Sequence, residues 1–225
     1  MKKVSAIAVV IFLTLIGSQA NASIDVPTFR FGLGQSPLSF TAGSAWPGPN
    51  KLGEMLFVNP MFLWDVPNLR MRIGISFQAD LGSAFGTIAI AGVGGTVLFY
   101  PLGLSSSREV TDDFSEVVKT RMSPYFQISI IPSLFSATLV PSPGSQQYAT
   151  PQNWPYFNAT MIELAFGIGM DYPFSRDLVG FLGLHYRSAA FTAGGSSSGG
   201  GSNGTSNGVS YSGIALILGI MTNFY

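Results

Sequence analysis

Between Leu69 and Gln78 the chain reads Leu-Arg-Met-Arg-Ile-Gly-Ile-Ser-Phe-Gln, with every odd position apolar and every even one small, polar or charged. Successive side chains of a β-strand point to opposite faces, so this stretch is a ribbon with one greasy side and one wet side. Its length suits the ~9–11 residues of a strand that crosses a bilayer, and comparable segments recur to the end of the chain. No stretch after residue 22 has the ~18 consecutive apolar residues of a membrane helix. A membrane chain without such helices has one structure left that satisfies every backbone group in lipid, a closed barrel. Composition points the same way: 47% of residues are hydrophobic and only 10% charged, where about 25% charged is usual for a soluble domain. The soluble alternative, a β-sandwich, would need its greasy faces to meet in pairs.

Lys2 and Lys3 precede an apolar run from Val4 to Ile16 and then Ala20-Asn21-Ala22, the layout of a cleaved export signal. Residues 1–22 are therefore assigned to a signal peptide and 23–225 to the barrel domain. The chain has no cysteine, which excludes a lipoprotein anchor, a disulfide framework and thiolate metal sites. Without Lys2 and Lys3, nine basic residues face eleven acidic ones, so there is no basic face for nucleic acid.

Eight strands are expected, at Thr28–Phe40, Leu52–Val66, Leu69–Gln78, Gly86–Tyr100, Met122–Leu139, Asn158–Tyr172, Leu178–Phe191 and Val209–Tyr225. A two-residue turn at Pro67-Asn68 would set Asp65 opposite Arg70. A hairpin centred on Ser175 would set Glu163 opposite Arg187, giving an ion pair inside the barrel. Gly92, Gly94 and Gly95 suit a bend or bulge, and Gly92-Val93-Gly94-Gly95 is no phosphate loop, because the lysine and the following helix are missing. Residues 102–121 hold seven of the twenty charges left after removal of the signal. They read as a solvated turn or as a small lid over one mouth, with Thr111 capping a short helix that carries Phe114, Val117 and Val118. The Gly/Ser/Asn run Thr192–Gly208 reads as a flexible loop. Trp46 and Trp154 would approach one membrane interface, and Trp64, Tyr100, Tyr125, Tyr172 and Phe224 the other.

With the export signal, the turn from Gly167-Ile168-Gly169-Met170-Asp171-Tyr172 back through Gly183-Leu184-His185-Tyr186-Arg187, and a last strand ending in Phe224-Tyr225, the chain resembles the small outer-membrane β-barrels of Gram-negative bacteria. The families are the OmpA/OmpX-type and OmpW-like eight-stranded proteins. The resemblance implies an antiparallel up-and-down barrel in outer-membrane lipid, with the last strand recognised by the barrel assembly machinery. Its OmpW-like side implies a conduit or binding cavity for small apolar molecules; the second, fifth and eighth strands are apolar on both faces, which would set Met55, Phe57, Met61, Leu63, Ile217 and Met221 inward.

The inward polar residues are Arg30, Asp65, Arg70, Arg72, Gln78, Gln127, Glu163, Asp171, His185 and Arg187. Buried charges persist when paired, so the mixed signs read as a luminal network tying strands together in a barrel that side chains can fill. His185 is the only histidine, so a lipid-modifying hydrolytic or acyl-transfer site would have to use it. Ser188 has the opposite parity and points the other way. No catalytic residue, metal site or cofactor is expected, and the sequence reads as a structural or surface-interacting outer-membrane barrel, with passage of small solutes or hydrophobic molecules as the alternative.

Overall fold

The computed structural model describes residues 27–42, 51–66, 69–83, 86–110, 116–138, 156–175, 177–198 and 209–223. The segment assigned to export lies outside them, as do Trp46, Trp154, Phe224 and residues 111–115. In chain order the strands are β1 (Thr28–Ala42), β2 (Lys51–Val66), β3 (Met71–Ser83), β4 (Thr87–Phe99), β5 (Ser106–Val110), β6 (Glu116–Thr120), β7 (Ser123–Thr138), β8 (Tyr156–Pro173), β9 (Leu178–Ser198) and β10 (Val209–Asn223). All but β5 and β6 form one closed antiparallel barrel, sealed where β1 pairs with β10. β5 and β6 pair only with each other, as a hairpin between β4 and β7. The helix expected in this region is therefore absent at 116–120, and the rest of its span lies outside the described residues.

Parity decides which side chains the wall hides. Along β3, Arg72, Ser76, Gln78 and Asp80 are buried while Ile75, Phe77 and Leu81 are exposed, and β8 and β9 alternate in the same way. The outer surface is thus dominated by a belt of Leu, Ile and Phe, and the buried polar groups face the lumen. This arrangement is stable only where the outside medium is apolar. Tyr172 belongs to the belt, whereas Tyr100 and Tyr125, expected in the same aromatic girdle, are almost completely buried in the lumen. Each shares the inward parity of a neighbour two residues away, Leu98 for Tyr100 and Gln127 for Tyr125.

Starting at Tyr125, the register runs through Gly169, Gly183, Ile217, Gly34, Phe57, Asp80 and Ile90 and comes back to β7 at Phe135, ten residues further on. That stagger tilts the strands, and eight of them enclose a space that side chains can fill. The pairing on both sides of β4 runs without a shift, so its glycines make no bulge. They serve close approach instead: a Cβ at Gly94 would run into the carbonyl of Ile130, as one at Gly74 would into that of Phe62.

Two turns differ from their sequence reading. Asp65 pairs with Arg72 and Val66 with Met71, so the β2–β3 connection has four residues rather than two. A two-residue hairpin turn needs positive φ at its first central position, which a proline cannot adopt. Arg70 takes the left-handed conformation instead, at φ 53°. The β8–β9 hairpin pairs Pro173 with Val179, so Glu163 faces Ala189 and Arg187 faces Ala165. Ser175 fixes this turn, its Oγ accepting from the backbone N–H of Leu178 at 3.1 Å. β3 and β9 also continue past their expected ends, to Ser83 and Ser198. Thus the first part of the Gly/Ser run is strand.

Gly74→Val should destabilise the barrel by about 1–3 kcal/mol through overpacking against β2. Urea unfolding of the lipid-reconstituted protein measures this, with the outward-facing Ala79→Val as the control expected to change little.

Candidate functional site

Two ion clusters and two apolar layers fill the lumen. One cluster centres on Arg187 of β9, which grips Glu163 of β8 with two bonds, Nε to Oε1 and Nη2 to Oε2, each 2.8 Å. The same guanidinium reaches Asp80 of β3, Nη2 to Oδ2 at 2.6 Å. Gln78 Nε2 donates to both carboxylates, at 2.8 and 2.9 Å, and the Tyr211 hydroxyl donates to Glu163 Oε2. Phe57 lies under the Arg187 guanidinium, 4.9 Å from the ring centroid. Five strands are joined at one buried point. Towards the loop end of the barrel Tyr211 packs in an apolar layer with Leu38, Phe40, Met55, Ile88 and Phe135.

The second cluster centres on Asp171, near the end where β1 starts and β10 finishes. Arg30 Nη1 donates to its Oδ1 at 2.8 Å, and the hydroxyls of Tyr100 and Ser105 donate to its Oδ2, each at 2.9 Å. Arg72 donates from Nε to Asp65 Oδ1 at 2.6 Å and lies 3.8 Å from Asp171 through Nη1. Arg30 is stacked between two rings, 3.5 Å from the centroid of Phe181 and 4.5 Å from that of Tyr125. A dehydrated guanidinium gains from such ring faces.

Ser105 belongs to the short segment after β4 that closes this mouth. Gly103, at φ 97°, lets the chain turn inward, and the backbone N–H of Arg121 bonds the Ser105 carbonyl at 2.8 Å. Leu104 and Ser105 are buried as a result, Leu104 against the layer of Phe57, Met61, Leu63, Tyr125 and Ile217. Leu104 and Ser105, which close this mouth, lie at the foot of the β5–β6 hairpin and carry none of the charges that mark the segment in sequence.

Of the residues named from the sequence, Arg30, Asp65, Arg72 and Asp171 meet in one cluster, and Gln78, Glu163 and Arg187 in the other. Arg70 does not face the lumen: it is exposed in the β2–β3 turn, where its Nη1 donates to the Pro101 carbonyl at 2.9 Å. Gln127 is buried and donates to Ser129 at 3.1 Å. His185 is buried with its Nε2 bonded to no described residue. Ser188 stands on the opposite face of β9. Sequence reading missed Asp80, Tyr100, Ser105 and Tyr211. Asp80 was findable, because it keeps the inward parity of Gln78. Among the described residues no group of three His, Asp or Glu side chains is placed to hold a metal ion.

No family model matches the sequence, and no curated protein is similar to it. Among solved structures, the outer membrane protein OprG from Pseudomonas aeruginosa superposes with a TM-score of 0.52 at 10% identity, covering 89% of this chain and 96% of that one. The chain has the fold of the small eight-stranded outer-membrane barrels. Neisserial surface protein A matches at TM-score 0.45 and 12% identity, over 87% of this chain and 97% of that one. Ail, the attachment invasion locus protein of Yersinia pestis, matches at 0.37 and 9%, over 87% and 99%.

Removing the shared cation should cost more than removing one anion, because Arg187→Leu leaves two buried carboxylates without a counterion. An expected loss of about 3–5 kcal/mol for Arg187→Leu, a smaller one for Glu163→Gln, and a change within about 0.5 kcal/mol for the exposed Arg70→Ala can be read from urea unfolding in lipid.

Proposed function

We propose that the protein is an integral outer-membrane barrel with a structural or surface-interacting role and a lumen closed by its own side chains. The observation that carries this reading is the stacking inside the wall. An apolar layer, the Arg187 cluster, a second apolar layer and the Asp171 cluster follow one another from the loop end to the lid at Leu104-Ser105. A solute crossing the barrel would have to displace guanidinium–carboxylate pairs whose ions have no water to retreat to, which makes passage costly. The apolar outer belt supports membrane insertion, and the export-like residues 1–22 together with the barrel fold support an outer membrane. The lipid of that membrane and the assembly machinery acting on β10 are the partners this reading implies. Among the described residues no hydroxyl is hydrogen-bonded to His185 Nε2, which favours a role other than catalysis.

Single-channel recording in a planar bilayer tests the closed lumen. Reconstituted protein should give no discrete conductance steps, and Arg187→Ala, which removes the central cation, should give steps if the variant remains folded. Steps from the unaltered protein would make passage of small solutes the function instead.

A further inference from the structure

We propose that the outer wall carries a seat for one acyl chain of a bilayer lipid, in a groove running across β2, β3, β4, β7 and β8. The groove has a volume of about 780 Å³, within the ~300–1,000 Å³ typical of ligand sites. Its floor is the cross-strand pair Ala79–Ala91, and the neighbouring pair Phe77–Val93 rises on one side. Leu134 and Ile162 line it from β7 and β8. Elsewhere the belt pairs large residues, such as Leu184 with Leu216 and Leu182 with Leu218 on β9 and β10. The wall is therefore dented near the middle of β3 and β4.

Two prolines in the lining hold the dent in shape. Pro60 and Pro132 lack an N–H, and the pairing is interrupted beside each: between Val58–Ala79 and Met61–Ser76, and between Gly92–Ser133 and Gly95–Ile130. The Phe77 carbonyl opposite Pro60 is not left bare, because Asn59 Nδ2 donates to it at 2.6 Å from within the wall. That carbonyl therefore offers nothing for a polar ligand to recognise, and the outward lining is hydrocarbon apart from Thr160 of β8.

The occupant follows from the surroundings. The groove is continuous with the exposed belt of Leu81, Val93, Leu134 and Ile162, which on the reading above faces lipid tails; the inference rests on that reading. A flexible acyl chain can settle into a floor two alanines wide. The convex wall of a second barrel would bridge over it.

The test uses protein expressed to the membrane, purified and reconstituted in phosphatidylcholine vesicles containing a phospholipid with a diazirine in mid-chain. After irradiation and digestion, label should be several-fold denser on the β3–β4 peptides than on those carrying Leu182 and Leu216. Ala91→Phe, or Ala79→Leu if the first variant fails to fold, fills the floor and should bring the β3–β4 label down to the level of the rest of the belt. Equal labelling of both walls in the unaltered protein, or labelling unmoved by the filled floor, would overturn the seat while leaving the membrane reading intact. No label on either wall would overturn the membrane reading itself. The chain has no cysteine, so Ala91→Cys supplies a unique thiol. Its oxidation to a disulfide dimer in vesicles would assign the groove to a second copy and likewise overturn the proposal.

Discussion

A charge on this wall has one place to go. The outer face is dominated by apolar residues between the strand ends, so parity sends Arg30, Arg72, Asp80, Glu163, Asp171 and Arg187 into the lumen. That lumen is narrow, because eight staggered strands leave room for side chains and little water. An unpaired guanidinium there would lose its hydration without compensation. Arg30, Arg72 and Arg187 accordingly each lie against a carboxylate, and ring faces of Tyr125, Phe181 and Phe57 cover what the carboxylates do not. Such buried pairs add less net stability than their short distances suggest. Their effect is on register: a strand slipped by one residue would drive an arginine into the hydrocarbon.

This explains which parts of the fold were legible in the sequence. The number and facing of the barrel strands depend only on a two-residue period, and that period survives errors at strand ends, whereas β5 and β6 were not foreseen. Pairing depends on turns, and turns were misread. Asp65 was matched to Arg70 when its partner is Arg72, a shift of two residues that preserves parity and so leaves the alternation unchanged. The Glu163–Arg187 contact forms even though the two residues are not directly opposite. Diagonal positions on neighbouring strands lie about 7–8 Å apart, within reach of long side chains. Asp80 was hidden by ending β3 at Gln78; Tyr100 and Tyr211 carry the inward parity of Leu98 and Ile217, but their carboxylate partners, like that of Ser105, lie at distances along the chain that no local pattern can span.

The two ends of the lumen are closed by different means. At the loop end the barrel strands suffice: inward Leu, Ile, Met and Phe from several strands meet across the axis. At the other end the strands bring charges, and a separate piece of chain supplies the seal. The segment after β4 could be recognised as unusual by its charge, which belongs to residues further along. What enters the barrel is Leu104, which completes an apolar layer, and Ser105, whose hydroxyl occupies a place on Asp171 that would otherwise need water.

A filled interior moves the chemical individuality of such a barrel to its outer wall. In lipid, a ladder hydrogen bond removed by proline is not replaced by water, so each interruption carries a penalty that a plain strand residue would avoid. At Pro60 the penalty is offset by Asn59, whose side chain takes over the Phe77 carbonyl and also donates to Ser76 at 2.8 Å. The repair needs a polar residue with inward parity beside the proline, so it involves two positions rather than one. Pro132 lies across the same stretch of wall on β7, and the alanine pair occupies the space between the two prolines. Four small or rigid residues on four neighbouring strands thus act together on one patch. They make the patch concave, where bulkier residues of the same hydrophobicity would have packed a flat and more stable wall.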